Sequence, residues 1–454
     1  MGRAIETRAI LRLAVPLTLI QIAEGLVHFV DTVMMGWLGT ATLAAGSLGA
    51  VIFWTLLSLF SGLLEMTGAL VAEAYGAGNH GRIQVINAQA LWLSLGVSLP
   101  TMVLLWHLDQ VLQLLGQEPD VVVQTMAYLR AILWGLPAAL GLFVFKEVTT
   151  ALMQPRMLTL LMVVSIPVNI VLNYGLMVGV WGLPELGLAG IGWSSTLVFW
   201  LNFGIAVIGL KRLTNLRQWR LFAALGRCRV AVFKEIVHLG LPLCIDYGTE
   251  SGALTVAALL MGIWGTDALA AHGIVMTTTE LLLMFSWGIS YAAAMRTAHK
   301  LGEGRPDVAR QIMNISMILN LVLIIALAMP LWLFPEPIAG LYLDANQVEN
   351  QFTIEVTKSI FKVGVVFQIF QGVRLISLGA LQGLHDTHVL AAIDLFAHWG
   401  IGIGLGYLLG NGLGWQGIGL WWSLALGQVF AAVVLTLRVQ QLLRQRIQRL
   451  QEAL

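Results

Sequence analysis

Long apolar stretches separated by short polar segments run through the whole chain. A helix that crosses a bilayer needs about 20 mostly apolar residues, and twelve stretches reach that length. In the first half they lie near 10–35, 47–75, 86–107, 124–150, 158–180 and 189–210. In the second half they lie near 235–261, 272–298, 312–335, 355–380, 390–410 and 415–437. The pattern predicts an all-α, polytopic membrane protein with twelve transmembrane helices.

Basic residues are distributed unevenly among the segments that join these stretches. Every second loop contains no Lys or Arg, namely 36–46, 108–123, 181–188, 262–271, 336–354 and 411–416. The other loops and the two ends of the chain carry 19 of the 25 basic residues. Cytoplasmic loops are enriched in Lys and Arg. We therefore expect a multi-pass protein of the bacterial inner membrane, with both termini and the 211–234 loop in the cytoplasm.

The composition excludes several classes of protein. Only 11% of the residues are charged and 58% are hydrophobic, whereas soluble domains carry about 25% charged residues. No nucleotide-binding motif of the form GxxxxGK[ST] occurs, and no catalytic constellation indicates an enzyme. Transport driven by an ion gradient is the expectation, with no cofactor beyond the coupling ion and no nucleic-acid partner.

An internal duplication relates the two halves of the chain. The segment 36–45 recurs as 262–271, an offset of 226 residues, and the same offset relates Pro16 to Pro242. Six helices are an even number, so each half enters and leaves the membrane on the same face. The halves are then parallel repeats related by a pseudo-two-fold axis along the membrane normal, an arrangement that other transporters use to place a cavity between two lobes.

The repeat also predicts the domain organisation. An amino-terminal six-helix lobe should cover 1–210 and a carboxy-terminal six-helix lobe 235–437. The basic segment 211–234 is expected to be a cytoplasmic linker, and 438–454 a cytoplasmic tail.

Several ionisable residues fall within the predicted helices, where a charge costs several kcal/mol and usually marks function. Glu24 and Asp31 are seven positions apart and share one face of the first helix. Asp246 and Glu250 are one turn apart on the seventh helix. Arg374 is expected to neutralise buried carboxylates rather than to contact substrate.

A pair of amides accompanies these acids. Asn169 and Asn173 are one turn apart on the fifth predicted helix. A carboxylate such as Asp31 with several amide oxygens suits a hard cation, and a carboxylate in a medium of low dielectric also suits proton exchange. A purely structural role, in hydrogen bonds between helices, is the alternative. No other metal site is indicated.

The chain resembles the multidrug and toxic compound extrusion (MATE) transporters of the NorM type over essentially its whole length. The motifs that carry the resemblance are Val-Asp-Thr at 30–32 with Met-Gly at 35–36, Tyr-Gly-Ala-Gly at 75–78, Pro-Val-Asn-Ile-Val-Leu-Asn-Tyr at 167–174 and Leu-Gly-Leu-Ala-Gly-Ile-Gly at 186–192. This family exchanges Na⁺ or H⁺ for organic, often cationic, drugs. The resemblance implies a secondary active antiporter for drug-like molecules, surrounded by lipid and expected to be monomeric.

Residue by residue, the resemblance implies a cation site in the first half and a charged substrate cavity in the second. The cation site comprises Asp31, Asn169, Asn173 and Thr196. The predicted cavity charges and their neighbours are Glu250, Asp246, Glu24 and Gln371. Gln371 stands where NorM-type proteins have a further Asp, which shifts the expected coupling site to the first half.

Two other functions fit parts of the pattern. A flippase for lipid-linked precursors or polysaccharide would need a cavity lined by basic residues, and here the charges of the first helix are acidic. A channel rarely needs a duplicated architecture with buried carboxylates.

Overall fold

A computed structural model describes residues 2–114, 116–343 and 347–453 of the chain, and within these ranges the protein is helical and contains no β-strand. In the first half, the long helices are α1 (Gly2–Trp37), α2 (Thr40–Gly76), α3 (His80–Trp106), α4 (Pro119–Ala151), α5 (Arg156–Val178) and α6 (Leu188–Arg212). In the second half they are α7 (Val230–Ile263), α8 (Thr266–Gly302), α9 (Pro306–Leu333), α10 (Val348–Leu384), α11 (Thr387–Gly412) and α12 (Gln416–Ala453). Short helices lie at Asp109–Leu114, Thr214–Arg217 and Pro335–Ala339.

Eleven of these long helices are apolar and long enough to cross a bilayer. The remaining one, α7, spans 34 residues and carries Asp246 and Glu250 in its central part, which lowers its hydropathy. With α7 as the twelfth, the predicted all-α architecture of twelve helices is confirmed.

Two of the helices depart from regular α geometry. Helix α4 tightens into a 3₁₀ turn at Leu133–Gly135, just before Pro137, whose ring nitrogen has no hydrogen to donate. Helix α11 widens into π-helical turns at Phe396–Leu405 and Leu408–Gly412. Such irregular turns often occur at functional positions, and both lie beside the sites described below.

The chain forms two compact units. One contains the residues up to Thr18 together with those from Ile245 onward, and the other contains Leu19–Cys244. The first part of α1 thus belongs to the unit that holds α8 to α12, and the first part of α7 to the unit that holds α2 to α6.

Within each unit, a small residue allows one of these helices to approach a neighbour closely. A Cβ atom on Gly288 of α8 would lie 2.9 Å from the carbonyl oxygen of Ala14 in α1. A Cβ atom on Gly240 of α7 would lie 2.0 Å from the carbonyl oxygen of Leu63 in α2. The offset of 226 relates Ala14 to Gly240, and Gly62, the neighbour of Leu63, to Gly288, so the two contacts lie at equivalent places in the repeat to within one residue.

Close backbone packing at Gly240 predicts that even one added methyl group will destabilise the protein. We expect Gly240→Ala to lower the stability by about 1–3 kcal/mol, the usual cost of overpacking, because the methyl group meets backbone rather than a movable side chain. The measurement is the apparent melting temperature in detergent, followed by tryptophan fluorescence. Gly204→Ala is the matched control, since nothing lies within 4 Å of a Cβ atom there. Equal melting temperatures for the two variants would contradict the prediction.

Candidate cation and substrate sites

Asp31 lies in α1 and is 3% exposed. The side-chain amide of Asn173 donates a hydrogen bond to Asp31 Oδ1 at 2.6 Å, and the hydroxyl of Ser195 donates to Asp31 Oδ2 at 3.2 Å. Helices α5 and α6 therefore each supply one donor to a carboxylate on α1.

The amide pair of α5 forms the wall of this site. Asn169 and Asn173 are fully buried, and the amide of Asn173 also donates to Asn169 Oδ1 at 3.1 Å. The hydroxyl of Ser194 lies 3.4 Å from the backbone oxygen of Asn169 and donates to it. The spacing of one helical turn, which the sequence shows, places both amides on one face beside Asp31.

Helix α6 places two neighbouring hydroxyls differently. Ser195 bonds to Asp31, whereas the hydroxyl of Thr196 donates to the backbone oxygens of Ala131 at 2.8 Å and Ile132 at 3.2 Å. These carbonyls directly precede the 3₁₀ turn of α4, where the regular series of N–H donors along the helix is interrupted. Successive residues on a helix differ by about 100°, so the two side chains face different neighbours. A role for Thr196 in cation binding stays a prediction, and the contact of Ser195 was not anticipated by the sequence argument.

Several polar atoms around Asp31 have no hydrogen-bond partner within the part of the chain that the structure describes. They include Asn173 Oδ1, Asn169 Nδ2 and the hydroxyl of the buried Tyr128, which interacts electrostatically with Asp31. No Lys or Arg of the described ranges forms an ion pair with Asp31. An unpaired buried charge costs several kcal/mol, which a proton or a bound cation would remove, and the Asp31 carboxylate with the oxygens of Asn173 and Tyr128 suits either.

The second site is centred on Arg374 of α10, which is completely buried. Its Nε donates to Asp394 Oδ1 at 3.0 Å, and its Nη2 lies 2.9 Å from Asp394 Oδ2. Its Nη1 and Nη2 donate to Glu250 Oε1 and Oε2 at 3.3 and 3.2 Å. Asp246 Oδ2 lies 3.7 Å from Nη2. One guanidinium thus faces three carboxylates.

Further side chains surround Glu250. The side chain of Gln371 lies within hydrogen-bonding reach of the Glu250 carboxylate, and His398 Nε2 lies 4.0 Å from Glu250 Oε1. His398 Nδ1 lies 2.8 Å from the backbone oxygen of Asp394, at the π-helical turn of α11. The Glu250 side chain is 16% exposed, against 0–1% for Arg374, Asp394 and Asp246. Glu250 is therefore the most accessible of the carboxylates around Arg374.

The structure brings most of the predicted residues into these two clusters. Asp31, Asn169 and Asn173 meet in the first cluster, and Asp246, Glu250 and Gln371 meet around Arg374 in the second. Glu24 is half-buried on α1 and forms no hydrogen bond to Asp31.

A membrane protein with two repeats of six helices, and with a buried carboxylate cluster in each repeat, has the architecture of a secondary transporter. The profile of the MatE family matches the chain twice, at residues 16–175 and 242–408. The protein belongs to the MatE family. The two matches begin at Pro16 and Pro242, the pair that defines the offset of 226 in the sequence.

Relatives named as probable multidrug resistance proteins are similar to almost the whole chain. A probable multidrug resistance protein NorM from Synechocystis is 34% identical, over 97% of this chain and 96% of that protein. Another from Synechococcus is 35% identical, over 98% and 97%. A third from Pseudomonas aeruginosa is 34% identical, over 95% and 89%.

Solved structures of lower identity share the fold. A Vibrio cholerae MATE transporter superposes with a TM-score of 0.88 at 18% identity, covering 98% of each chain. A transporter of the MOP superfamily from Pyrococcus furiosus superposes with a TM-score of 0.86 at 20% identity, covering 98% of this chain and 97% of that one.

Proposed function

We propose that the protein is a secondary active antiporter that exports small organic compounds, mainly cations, in exchange for Na⁺ or H⁺. The observation that carries the proposal is the Asp31 cluster, a buried carboxylate with amide and hydroxyl neighbours and no basic partner among the described residues. The names of the relatives, which are multidrug resistance proteins, support organic compounds as the exported class.

In this proposal, Asp31 couples export to the ion gradient. Taking up a proton or Na⁺ neutralises one buried charge, which changes the free energy of the site by several kcal/mol. A difference of about 5.5 kcal/mol moves a two-state equilibrium from 1:99 to 99:1. Occupancy of Asp31 can thereby decide which conformation of the transporter is stable, and so on which side of the membrane the substrate is released.

The second cluster supplies the charge for the substrate. Glu250 is partly exposed, and its carboxylate can pair with an organic cation, while Asp394 and Asp246 stay buried around Arg374. A flippase for phosphate-bearing lipids is disfavoured, because Arg374, the buried guanidinium of this cluster, is already paired with carboxylates.

The test of this function is transport by purified protein in liposomes. We expect uptake of ethidium to require an imposed gradient, of Na⁺ or of pH, across the membrane of the vesicle. Comparing the two gradients identifies the coupling ion, and protein-free liposomes give the leak rate. Ethidium movement that is equally fast with and without any gradient would indicate a channel and contradict antiport.

The proposed orientation places both termini and the 211–234 segment in the cytoplasm of a bacterial cell. Cys228 lies in that segment and is exposed, and the second cysteine is Cys244. We expect a membrane-impermeant maleimide to label Cys228 in a Cys244→Ser variant only from the cytoplasmic side. In a variant that lacks both native cysteines, Leu341→Cys should react only from outside, since Leu341 is 82% exposed in the opposite loop. Labelling of both positions from one side would contradict the twelve-helix topology.

A further inference from the structure

Arg374 holds its two main partners unequally. Its contacts with Asp394 are a hydrogen bond of 3.0 Å to Oδ1 and an ion-pair contact of 2.9 Å to Oδ2, whereas its two hydrogen bonds to Glu250 measure 3.2 and 3.3 Å. Asp394 is fully buried and Glu250 is 16% exposed at its side chain. The guanidinium is therefore anchored on Asp394 and bound more loosely to the carboxylate that a substrate can reach.

A spare acceptor lies beside the same guanidinium. Asp246 is 1% exposed, and neither of its carboxylate oxygens accepts a hydrogen bond from the described residues. Its Oδ2 lies 3.7 Å from Arg374 Nη2, so a displacement of less than one ångström would give a normal charge-assisted hydrogen bond. Asp246 also interacts electrostatically with Asp394, the residue on which Arg374 is anchored.

We propose that Arg374 is an internal cation that competes with the organic substrate for Glu250, and that Asp246 receives the guanidinium when the substrate displaces it. The inference rests on the proposed function, because it presupposes that organic cations bind at Glu250. It makes Arg374 a residue that sets the affinity for the organic cation and the rate of its release, and it makes Asp246 the acceptor of the displaced guanidinium.

The exchange leaves the guanidinium of Arg374 paired with two carboxylates at either end. Without substrate, Arg374 pairs with Asp394 and Glu250. With substrate, the organic cation pairs with Glu250, and Arg374 pairs with Asp394 and Asp246. Burying an uncompensated charge is costly, so a guanidinium that moves between two carboxylates can make way for a cation without itself being left unpaired. Competition by the guanidinium weakens substrate binding and speeds substrate release.

Replacing the guanidinium of Arg374 with an ammonium group tests whether Arg374 competes with the substrate for Glu250. Arg374→Lys keeps the charge, but an ammonium group cannot form bidentate bonds to Asp394 and Glu250 at the same time. Lysine should stay with Asp394, where the shorter contacts are, and leave Glu250 to the substrate. We expect ethidium to bind about tenfold more tightly, since one charge-assisted hydrogen bond is of that order. Efflux should show a lower KM and a lower maximal rate. A merely structural role for Arg374 would weaken binding instead.

Removing the receiving carboxylate should have the opposite effect. In Asp246→Asn, the displaced guanidinium meets a neutral amide, so we expect ethidium to bind several-fold more weakly than to the wild type. Binding of the uncharged dye Nile red should change in neither variant. Arg438→Lys is the matched control. Arg438 forms an ion pair with Asp386, with 2.7 Å between the two atoms, and this pair is not part of the cluster around Arg374.

The measurement is ethidium fluorescence on purified protein, paired with efflux from the same preparations in liposomes. Shifts of the Kd in opposite directions for Arg374→Lys and Asp246→Asn support the competition. Unchanged Kd values, or shifts in the same direction, overturn it. If Arg374→Lys does not fold, the Kd of Asp246→Asn still tests the proposal, because an unchanged or lower Kd for ethidium in that variant would overturn it. If the wild type exports ethidium and both variants bind ethidium with the wild-type Kd, only the competition is overturned. If the wild type neither binds nor exports ethidium, the proposed function is overturned as well.

Discussion

Asp31→Asn should reach the membrane and fold normally but lose gradient-driven export. Asparagine keeps the size of the side chain and can still accept a bond from Asn173, which lies 2.6 Å from Asp31 Oδ1. It can neither take up a proton at neutral pH nor offer a full negative charge to Na⁺. The free-energy difference that couples occupancy to conformation is then absent. Ethidium efflux in liposomes should fall to the leak rate of protein-free vesicles.

Two further variants make this result specific. Asp120→Asn makes the same chemical change at an exposed position in the first turn of α4, and it should transport like the wild type. Ser195→Ala removes one hydrogen bond to Asp31 and leaves the charge, so coupling should persist with altered ion affinity. Gradient-dependent efflux near the wild-type rate by correctly inserted Asp31→Asn would refute the coupling role.

The fold was largely predictable because the bilayer imposes strong constraints. Twelve apolar stretches of sufficient length and the repeat at an offset of 226 follow directly from the chain, and the twelve helices confirm them. The division of α1 after Thr18 and of α7 after Cys244 was not visible in the sequence. It depends on packing between distant helices, through contacts such as that of Gly240 with Leu63, and hydropathy carries no information about such pairs.

The candidate sites were predictable where the helical period alone decides the geometry. Asn169 and Asn173 are one turn apart, and the structure places both beside Asp31. Ser195 was missed, because the rotation of α6 against α1 decides whether it or Thr196 faces Asp31. The run of three hydroxyl residues at 194–196 was the only signal for it in the sequence.

Arg374 shows a different limit of sequence reasoning. Its role in neutralising buried carboxylates was expected, and the structure shows those partners to be Asp394, Glu250 and Asp246. These acids belong to α11 and α7, at separations of 20 to 128 positions from Arg374. No local spacing joins them, so only the packing of α7, α10 and α11 identifies the cluster.

Glu250→Gln should separate substrate charge from ion coupling. The substitution keeps the length of the side chain and its hydrogen-bonding capacity, and Arg374 retains Asp394 at 2.9 Å, so the cluster should stay folded. The carboxylate that pairs with an organic cation is lost. We expect ethidium to be exported about tenfold less efficiently, equivalent to about 1.4 kcal/mol, while uncharged compounds are affected less. Efflux that remains should still depend on the imposed gradient, because Asp31 is intact.

The comparison of Glu250→Gln with Asp31→Asn is decisive. The first variant should lose the carboxylate that pairs with the organic cation and keep coupling to the gradient, and the second should keep that carboxylate and lose the coupling. Glu355→Gln provides the control, since Glu355 is exposed and pairs with Lys358 on the same helix. The readout for each variant is the KM and maximal rate of ethidium efflux, with and without the gradient. Glu250→Gln should raise the KM for the cation and keep the gradient dependence, whereas Asp31→Asn should abolish that dependence. Coupling that vanished in Glu250→Gln and survived in Asp31→Asn would reverse the two roles, and would place the coupling ion in the cluster around Arg374.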